Sequence, residues 1–434
     1  MSHGVALRCT AERALASPAV ADTDAGRGFR TNLAVVVAGG AVLRVTRLLI
    51  TKWNRALLLN DSLYYSAQAR QLAHGVWFRE VFADLPGAEH GPLTSVLMAP
   101  VSWGSDPFNR QRIVTVLCGI ATVAVIGLVA RRVGGDRVGL IAAAIAAIYP
   151  NLWINDGLVM SESLSCLVIA LTLLAITRWT ESPTYQRAVL CGVLMGLGAL
   201  ARSELLLLAP LGALLMLLIG RRSALKYGWH AAAVLAATAV VIAPWMIFNA
   251  TRFDKPVLLT TNEGPLWLGA NCADSYYGAA LGGWSLFCVV DANIGANGED
   301  PSVRSEQQRR VGLQYARAHL ARLPVVLVAR VGRTLDLYDV RGLVHGDVGE
   351  ERERLATWAG VVSFWILAPL AALGAFRLRR LHLAVLLLPI LVVGITTVVF
   401  YGGHRIRASA EPVIVILAAC ALEHWSRRAK RAAE

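Results

Sequence analysis

The feature that most limits how this chain can fold is a series of long apolar runs separated by short basic clusters. Representative runs are 33-LAVVVAGGAVL-43, 205-LLLLAPLGALLMLLIG-220 and 383-LAVLLLPILVVGITTVVF-400. A helix needs about 20 mostly apolar residues to cross a bilayer. The chain is 56% hydrophobic and 16% charged, so it supplies such segments repeatedly. The sequence therefore predicts an all-α polytopic membrane protein.

The basic clusters set the number and direction of the predicted spans. Lys and Arg concentrate in the cytoplasmic loops of membrane proteins. Placing the clusters of this chain inside gives about ten transmembrane helices, with both termini in the cytoplasm. The predicted spans are 33–50, 111–131, 137–151, 157–178, 187–202, 204–220, 228–247, 357–376, 382–400 and 408–425. This distribution explains the net charge of +13, so we expect no nucleic-acid binding.

The loops predicted to face outward are the long ones, so we expect function on that side. The predicted organisation is a cytoplasmic tail 1–32, a transmembrane module 33–247 with a first outer loop 51–110, an extracytoplasmic cap 248–356, C-terminal helices 357–425 and a cytoplasmic tail 426–434. Two further apolar segments, 92–103 and 323–338, are too short or too charged to span. We expect both to form helices at the outer membrane surface.

Several charged residues near the predicted spans have ordinary structural interpretations. Arg44 and Arg47 lie near the outer end of the first span and are expected to extend toward lipid headgroups. The mixed-charge run 347-DVGEERERL-355 is interpreted as a solvated lead-in to the eighth span. Asp61 is expected to cap a helix over 62–73, a role that can coexist with a chemical one.

Five motifs in order along the chain point to chemistry. They are Asp61 followed by Tyr64, Tyr65 and 90-HGPL-93, then Glu162 in 158-LVMSESL-164, 196-GLGALARSELLLLAP-210, 260-TTNEGPLWLGAN-271 and 401-YGGHRIRASAEP-412. Together they resemble the GT-C superfamily of polytopic glycosyltransferases. The resemblance is closest to the branch that holds protein O-mannosyltransferases and lipid A aminoarabinose transferases, and it covers residues 33–425.

The resemblance implies an inverting glycosyltransferase that faces outward from the cytoplasmic membrane. It would move a sugar from a polyprenyl-phosphate donor to a glycan, lipid or protein acceptor of the cell envelope. Asp61 would be the general base, with its pKa raised toward that task in a partly dry groove. Glu162 would be a second carboxylate at the site. Ser62 stands where the mannosyltransferases have a second acidic residue, which disfavours protein as the acceptor.

The resemblance also suggests which side chains contact the donor. Cationic and hydrogen-bonding groups suit the phosphate oxygens, and the candidates are His90, Arg202, Arg405 and Arg407. Aromatic faces and amides suit a sugar or a prenyl tail, and the candidates are Tyr64, Tyr65, Trp267 and Asn271. A structural pair between Arg202 and Glu162 remains an alternative.

Two chemical questions stay open in the sequence. Cys272 and Cys288 both fall in the polar cap, where a disulfide is plausible outside the cytoplasm, and two unpaired thiols fit nearly as well. No His, Asp and Glu cluster has the spacing of a metal site, although Glu89 and His90 beside Asp61 leave room for a divalent cation.

Two other functions compete with glycosyl transfer. A transporter or flippase for a lipid-linked sugar would need the same arginines but no base. Transporters commonly show internal repeats and interrupted helices, and neither is detected here. The other alternative is an inactive relative that acts as an assembly partner, and the presence of Asp61 with Arg405 and Arg407 argues against it.

Overall fold

The computed structural model is almost entirely helical, as the apolar runs predict. It describes residues 19–220, 224–295 and 298–433, and 76% of the structure is helical. The described residues form no strand, only an isolated bridge between Arg79 and Pro86. The all-α class is confirmed. Residues 1–18 of the predicted cytoplasmic tail lie outside the described residues.

The described α-helices follow one another in chain order. They are α1 (Ala19–Arg47), α2 (Asp61–Ala73), α3 (Leu93–Met98), α4 (Phe108–Gly134), α5 (Asp136–Ile148), α6 (Pro150–Trp153), α7 (Glu162–Glu181), α8 (Tyr185–Ala201), α9 (Leu208–Ile219), α10 (Ala224–Ala250), α11 (Glu263–Ala270), α12 (Ala273–Tyr277), α13 (Leu286–Asp291), α14 (Pro301–Ala318), α15 (Leu323–Thr334), α16 (Val340–Gly349), α17 (Arg354–Ala375), α18 (Arg380–Val399), α19 (His404–Arg407) and α20 (Glu411–Ala433). Short 3₁₀ or π turns extend several of them, at Leu48–Lys52, Ala99–Val101, Ser203–Leu207, Leu320–Arg322 and Ala408–Ala410.

Six of these helices are long and apolar enough to cross a membrane. They are α1 with its π turn, α4, α7, α10, α17 and α18, and each coincides with a predicted span. The chain is therefore a multi-pass membrane protein. The other four predicted spans also contain helices, namely α5, α8, α9 and α20. Because α5, α8 and α9 have only 13, 17 and 12 residues, the count of ten spans stays a prediction.

Small residues let neighbouring helices of the bundle approach closely. On α8, a Cβ added to Gly192 would lie 2.3 Å from the Val234 carbonyl oxygen of α10. On α17, a Cβ at Gly374 would lie 1.9 Å from the Leu417 carbonyl oxygen of α20. Lipid supplies no hydrophobic drive between helices, so van der Waals contact at such small residues holds a membrane bundle together. These contacts fix the frame on which the polar connections sit.

The polar connections meet at one end of the bundle, here called the loop end. Ion pairs join the connection between α1 and α4 to the start of α7, the end of α8, the segment before α17 and the segment after α18. Helices α2, α3, α6, α11–α16 and α19 belong to these connections. The candidate site residues therefore come from distant parts of the chain and converge on one face.

Helix α15, within the segment expected at the membrane surface, is amphipathic. Val328 on one side is 73% exposed, whereas Arg330 and Arg333 on the other side are buried. Arg330 donates hydrogen bonds to the carbonyl oxygens of Val398 at 2.7 Å and Ala270 at 3.1 Å. Arg330 thus satisfies free carbonyl groups at the ends of α18 and α11, and Arg333 donates to the carbonyl oxygens of Leu281 at 2.7 Å and Ala279 at 3.0 Å in the cap. Arg330 therefore ties the cap to the bundle, and Arg333 binds within the cap.

Candidate active site

Asp61 begins α2 at the loop end, and its neighbour Asn60 caps the helix. The Asn60 side-chain oxygen accepts the N–H of Ser62 at 2.8 Å. The expectation that Asp61 is the cap is therefore wrong. At the first helical position, Asp61 still benefits from the positive end of the helix dipole. Its side chain is not needed as a cap. It is 30% exposed, so a small substrate can reach the carboxylate.

Arg405 on α19 connects three carboxylates from three parts of the chain. Its Nη2 donates to Asp61 Oδ2 at 2.5 Å, its Nε to Glu162 Oε1 at 2.5 Å and its Nη1 to Glu350 Oε1 at 2.8 Å. A planar guanidinium can direct several N–H groups outward at once, which an ammonium cannot do with the same geometry. Arg405 is the centre of the candidate site.

A close backbone contact positions the short helix that carries Arg405. A Cβ at Gly402 would lie 1.9 Å from the Arg330 carbonyl oxygen, so only glycine lets the chain pass α15 here. The Gly402 N–H donates to the Gly282 carbonyl oxygen at 2.8 Å. Gly402 of the motif 401-YGGH-404 is therefore required by a close backbone approach just before α19.

His90 lies on the other side of Asp61. Its Nε2 is 3.4 Å from Asp61 Oδ1, and its ring stacks on Tyr65 with centroids 5.0 Å apart. The Tyr64 hydroxyl oxygen accepts the N–H of Glu89 at 3.0 Å. Both tyrosines are buried, so in this structure they hold the His90 segment against α2. Their expected contact with the sugar or lipid remains a prediction.

The surroundings of Asp61 lower its pKa. Burial alone would raise it, but the positive charge of Arg405 and the contact with His90 hold the pKa of Asp61 well below its usual range. The expectation of a raised pKa is therefore wrong for the protein without substrate. Asp61 is ionised at neutral pH, so it can accept a proton, although its basicity is weak while Arg405 remains bound to it.

Glu162 is fully buried at the start of α7 and has more than one cationic partner. Arg202 Nη1 donates to Glu162 Oε1 at 3.1 Å, in addition to the contact from Arg405. Arg202 Nε also binds Glu204 Oε1 at 2.5 Å. The structural pair between Arg202 and Glu162 is therefore present. Arg202 and Arg405 share the carboxylate of Glu162.

A charged segment before α17 completes the site. Residues 347–353, here called the charged strap, run from the end of α16 to α17. Glu350 binds both Arg405 and Arg352. Arg352 is buried, and it also contacts Asp347 Oδ1 at 3.2 Å and Asn155 Oδ1 at 3.1 Å. The interpretation of 347–355 as a solvated lead-in is wrong for this strap.

The other residues of the strap hold it against the bundle. Glu353 binds Arg47 Nη2 at 2.7 Å and lies 3.2 Å from Lys52 Nζ. Glu351 lies 3.5 Å from Arg112 Nη2, and its carbonyl oxygen accepts a hydrogen bond from Lys52 Nζ. Glu350 and Arg352 thus contact the site, while Glu351 and Glu353 anchor the strap to the ends of α1 and α4.

Arg44 and Arg47 pair inside the protein instead of extending to lipid. Arg44 Nε donates to Asp156 Oδ2 at 2.7 Å, and both side chains are buried. Arg47 binds Glu353 and the Asp156 carbonyl oxygen. The expectation that they extend to lipid headgroups is therefore wrong. Their partners lie more than 100 positions away in the chain, so the pairing is not visible in the local sequence.

Arg407 does not meet the Asp61 cluster. It is buried, with its Nε 2.7 Å from Glu411 Oε1 and its Nη1 2.8 Å from Asp336 Oδ2. His404 bridges the same region, with its Nδ1 3.0 Å from Asp336 and its Nε2 2.8 Å from Asp347. Burial opposes the charged imidazole, but the two carboxylates raise the pKa of His404 to about 9. The expected phosphate contact of Arg407 is not supported by this placement.

The cap candidates Trp267 and Asn271 have partners other than Arg405. The Trp267 ring packs on Phe400, with centroids 5.2 Å apart. Asn271 is buried, and its Oδ1 accepts hydrogen bonds from Tyr276 and Arg330. Cys272 and Cys288 are joined by a disulfide. Asn271 therefore stabilises the cap internally, and any contact of Trp267 with a donor remains a prediction.

The described residues contain no group of three or more His, Cys, Asp or Glu arranged to hold a metal ion. Beside Asp61, the positions nearest its two oxygens are taken by Arg405 and His90.

Comparison with known proteins identifies this arrangement of helices. The sequence model of the family described as dolichyl-phosphate-mannose-protein mannosyltransferase matches residues 102–248. The oligosaccharyltransferase AglB from Archaeoglobus fulgidus, solved with an inhibitory peptide and a dolichol-phosphate, superposes with a TM-score of 0.57 at 15% identity. That match covers 93% of this chain and 52% of AglB. The chain has the GT-C fold.

Two other solved structures also match most of this chain. Apo AglB from the same organism gives a TM-score of 0.57 at 16% identity, over 93% of this chain and 52% of that one. ArnT from Cupriavidus metallidurans, bound to undecaprenyl phosphate, matches at 15% identity over 88% of this chain and 77% of its own, with a TM-score of 0.43. No curated protein sequence matches the chain. The chain spans about half the length of AglB.

The family match and the candidate site overlap only in part. The matched residues 102–248 include Glu162 and Arg202. Asp61, Glu350 and Arg405 lie outside them, on segments that the GT-C fold brings to the same end of the bundle.

Proposed function

We propose that the protein is a membrane glycosyltransferase that moves a sugar from a polyprenyl-phosphate donor to a hydroxyl group of a cell-envelope acceptor. The family model describes enzymes that use dolichyl-phosphate mannose, and AglB was solved with a dolichol-phosphate. The observation that carries the proposal is a reachable carboxylate, Asp61, held against the guanidinium of Arg405 at the loop end of a membrane bundle. A proton acceptor beside an anion-binding group is what transfer from a lipid phosphate requires.

The proposed reaction is a single displacement. The acceptor hydroxyl oxygen attacks the anomeric carbon of the sugar and forms the new glycosidic bond. The bond from that carbon to the phosphate oxygen breaks, and its electron pair leaves on the polyprenyl phosphate. Asp61 takes the proton of the attacking hydroxyl, and Arg405 stabilises the charge of the departing phosphate. Attack from the face opposite the phosphate inverts the anomeric configuration.

Arg405 links donor binding to the basicity of Asp61. While Arg405 binds Asp61, it keeps the pKa of that carboxyl low. A donor phosphate that draws Arg405 toward itself removes part of this effect, and burial then raises the pKa of Asp61. The base becomes stronger when the donor is in place, which limits proton transfer in its absence.

We place the reaction on the outer side of the cytoplasmic membrane. The positive-inside distribution of Lys and Arg supports this orientation, and a disulfide between Cys272 and Cys288 in the cap suits an oxidising compartment. The acceptor is a glycan, a lipid or a protein, and Ser62 beside Asp61 favours the first two.

The test uses the purified protein in lipid nanodiscs with a panel of labelled polyprenyl-phosphate sugars. Membrane extract serves as the source of acceptor, and release of polyprenyl phosphate is measured. We expect release with one sugar class, and a loss of about 10²–10⁴-fold in Asp61→Asn with donor binding retained. Asp84→Asn is the matched control, because Asp84 is an exposed carboxylate of the same loop that pairs with Arg79.

Two outcomes would contradict the proposal. Full activity in Asp61→Asn would show that Asp61 is not the general base. Tight donor binding without turnover, together with movement of the donor across vesicle membranes, would identify a flippase instead.

A further inference from the structure

The candidate site holds more carboxylates than arginines before any substrate arrives. Arg202, Arg352 and Arg405 face five carboxylates in direct contact, from Asp61, Glu162, Glu204, Asp347 and Glu350. A donor phosphate adds another negative charge to this cluster. Each nitrogen of the Arg405 guanidinium already binds a carboxylate, from Asp61, Glu162 or Glu350, so a phosphate can bind Arg405 only by displacing one of them.

Glu350 is the carboxylate best placed to be displaced. Its Oε1 accepts from Arg405 Nη1 at 2.8 Å, and its Oε2 accepts from Arg352 Nη1. One oxygen is thus given to each of two guanidinium groups. The two non-bridging oxygens of a phosphodiester can make the same pair of contacts. Glu350 therefore occupies a ready-made phosphate position.

Burial distinguishes Glu350 from Glu162, whereas its contact with a second arginine distinguishes it from Asp61, whose side chain is 30% exposed and pairs with Arg405 and His90. Glu162 is completely buried, and its three cationic neighbours leave it no route to solvent. The Glu350 side chain is 29% exposed. It can turn into water and recover most of its hydration, whereas moving Glu162 would leave a buried charge unpaired.

The backbone of the charged strap can stay in place while Glu350 turns. Glu351 and Glu353, on either side of Arg352, are held by Arg112, Arg47 and Lys52. Only the side chain of Glu350 needs to rotate, so the displacement requires no opening of the bundle.

We propose that Arg352 and Arg405 together form the donor-phosphate site, and that Glu350 fills this site as an internal substitute for the phosphate until the donor displaces it. This inference rests on the proposed function, because it takes a polyprenyl phosphate as the ligand. Glu350 weakens binding of the lipid phosphate. By returning to the two arginines it also promotes release of the polyprenyl-phosphate product.

The test measures binding of undecaprenyl phosphate and of undecaprenol to the protein in nanodiscs by native mass spectrometry. Glu350→Gln keeps the shape but not the charge, and we expect it to bind undecaprenyl phosphate at least tenfold more tightly than the native protein. Undecaprenol, which has the same tail without the phosphate, should bind equally to both. Glu80→Gln is the matched control, since Glu80 is an outer-loop carboxylate paired with Arg304, and its affinity should match the native protein.

A second variant keeps the charge at position 350. Glu350→Asp is one methylene shorter and cannot reach both arginines, so it should also bind undecaprenyl phosphate more tightly than the native protein, by severalfold. If Glu350→Gln does not fold, the affinity of Glu350→Asp for undecaprenyl phosphate tests the proposal.

The outcomes separate this inference from the proposed function. Equal or weaker phosphate binding in both variants, or equal tightening with undecaprenol, overturns the role of Glu350 even if the native protein transfers sugar. Tighter phosphate binding in the variants without any sugar transfer by the native protein supports the role of Glu350 and contradicts the glycosyltransferase. No phosphate binding by any of the proteins contradicts both.

Discussion

At the scale of single residues, the site depends on the different placement of two arginines in one short helix. Arg405 and Arg407 are two positions apart on α19, yet Arg405 binds Asp61, Glu162 and Glu350, whereas Arg407 binds Asp336 and Glu411. Residues two apart on a helix point in different directions. The motif 401-YGGHRIRASAEP-412 indicates an arginine site but does not say which arginine enters it.

Arg405→Lys should abolish most activity while retaining the positive charge. An ammonium cannot make directed contacts to three carboxylates from one position, so both the alignment of Asp61 and the stabilisation of the leaving phosphate suffer. We expect kcat to fall by about 10²–10³-fold. Steady-state release of polyprenyl phosphate in nanodiscs measures this. Arg309→Lys is the control, because Arg309 lies half-exposed on α14. Unchanged kcat in Arg405→Lys would show that a simple positive charge suffices.

His404 should make the stability of the protein depend on pH. Its pKa is raised to about 9 by Asp347 and Asp336, above the ordinary value of about 6.5. A raised histidine pKa contributes stability that is complete below about pH 6.5 and is lost as pH rises through about 9. The melting temperature in detergent should therefore fall by several degrees between pH 7 and pH 10.

The control for this titration is His404→Gln, which cannot be protonated. It should be less stable than the native protein at pH 7, and its melting temperature should change less between pH 7 and pH 10. Parallel pH profiles for the two proteins would assign the pH dependence to other groups.

At the scale of elements, the charged strap shows how one segment serves two purposes. Glu350 and Arg352 point to the site and Glu351 and Glu353 to the bundle, across a turn in which Glu351 has a φ of 65°. Glu350 and Arg352 face Arg405 and Asn155, while Glu351 and Glu353 face basic residues at the ends of α1 and α4. The anchoring half keeps the functional half at a fixed distance from α19.

Close packing between α8 and α10 should make Gly192 intolerant of substitution. A Cβ there would lie 2.3 Å from the Val234 carbonyl oxygen, so Gly192→Ala must push the helices apart. We expect a loss of about 1–3 kcal/mol of stability, seen as a lower melting temperature. Gly394→Ala on α18 is the matched control, because no atom lies within 4 Å of its added Cβ. Equal stability of the two variants would show that α8 and α10 are not tightly packed.

At the scale of the whole molecule, the bundle has one polar end at which the site, the strap and the cap meet. The sequence predicts that this end faces away from the cytoplasm.

Chemical labelling in intact spheroplasts can determine this orientation. If the loop end faces outward, a membrane-impermeant reductant should open the disulfide between Cys272 and Cys288, and an impermeant maleimide should then label both thiols. The four described free cysteines, Cys118, Cys166, Cys191 and Cys420, are buried and should stay unlabelled. The Cys272→Ser, Cys288→Ser double variant is the background control. Labelling above that background only after permeabilisation would place the loop end in the cytoplasm.

The sequence by itself determined the membrane class, the positions of six spans and, through the resemblance of its motifs, the choice of Asp61, Glu162 and Arg405 as candidates. Hydropathy and charge bias depend on residues that are close together in the sequence, so they can be read before the fold is known. The ten predicted spans each contain a helix for this reason. The motifs around them were specific enough to suggest the GT-C fold.

Only the tertiary structure decided which charges meet. Arg405 and Asp61 are 344 positions apart, and Arg47 and Glu353 are 306 apart. A mixed-charge run such as 347–355 has the same composition whether it is solvated or buried against complementary charges. The pKa of Asp61 fell instead of rising because its partner is a guanidinium from the far end of the chain. The burial of a charge depends on its partner in space, and that partner is set by how the helices pack.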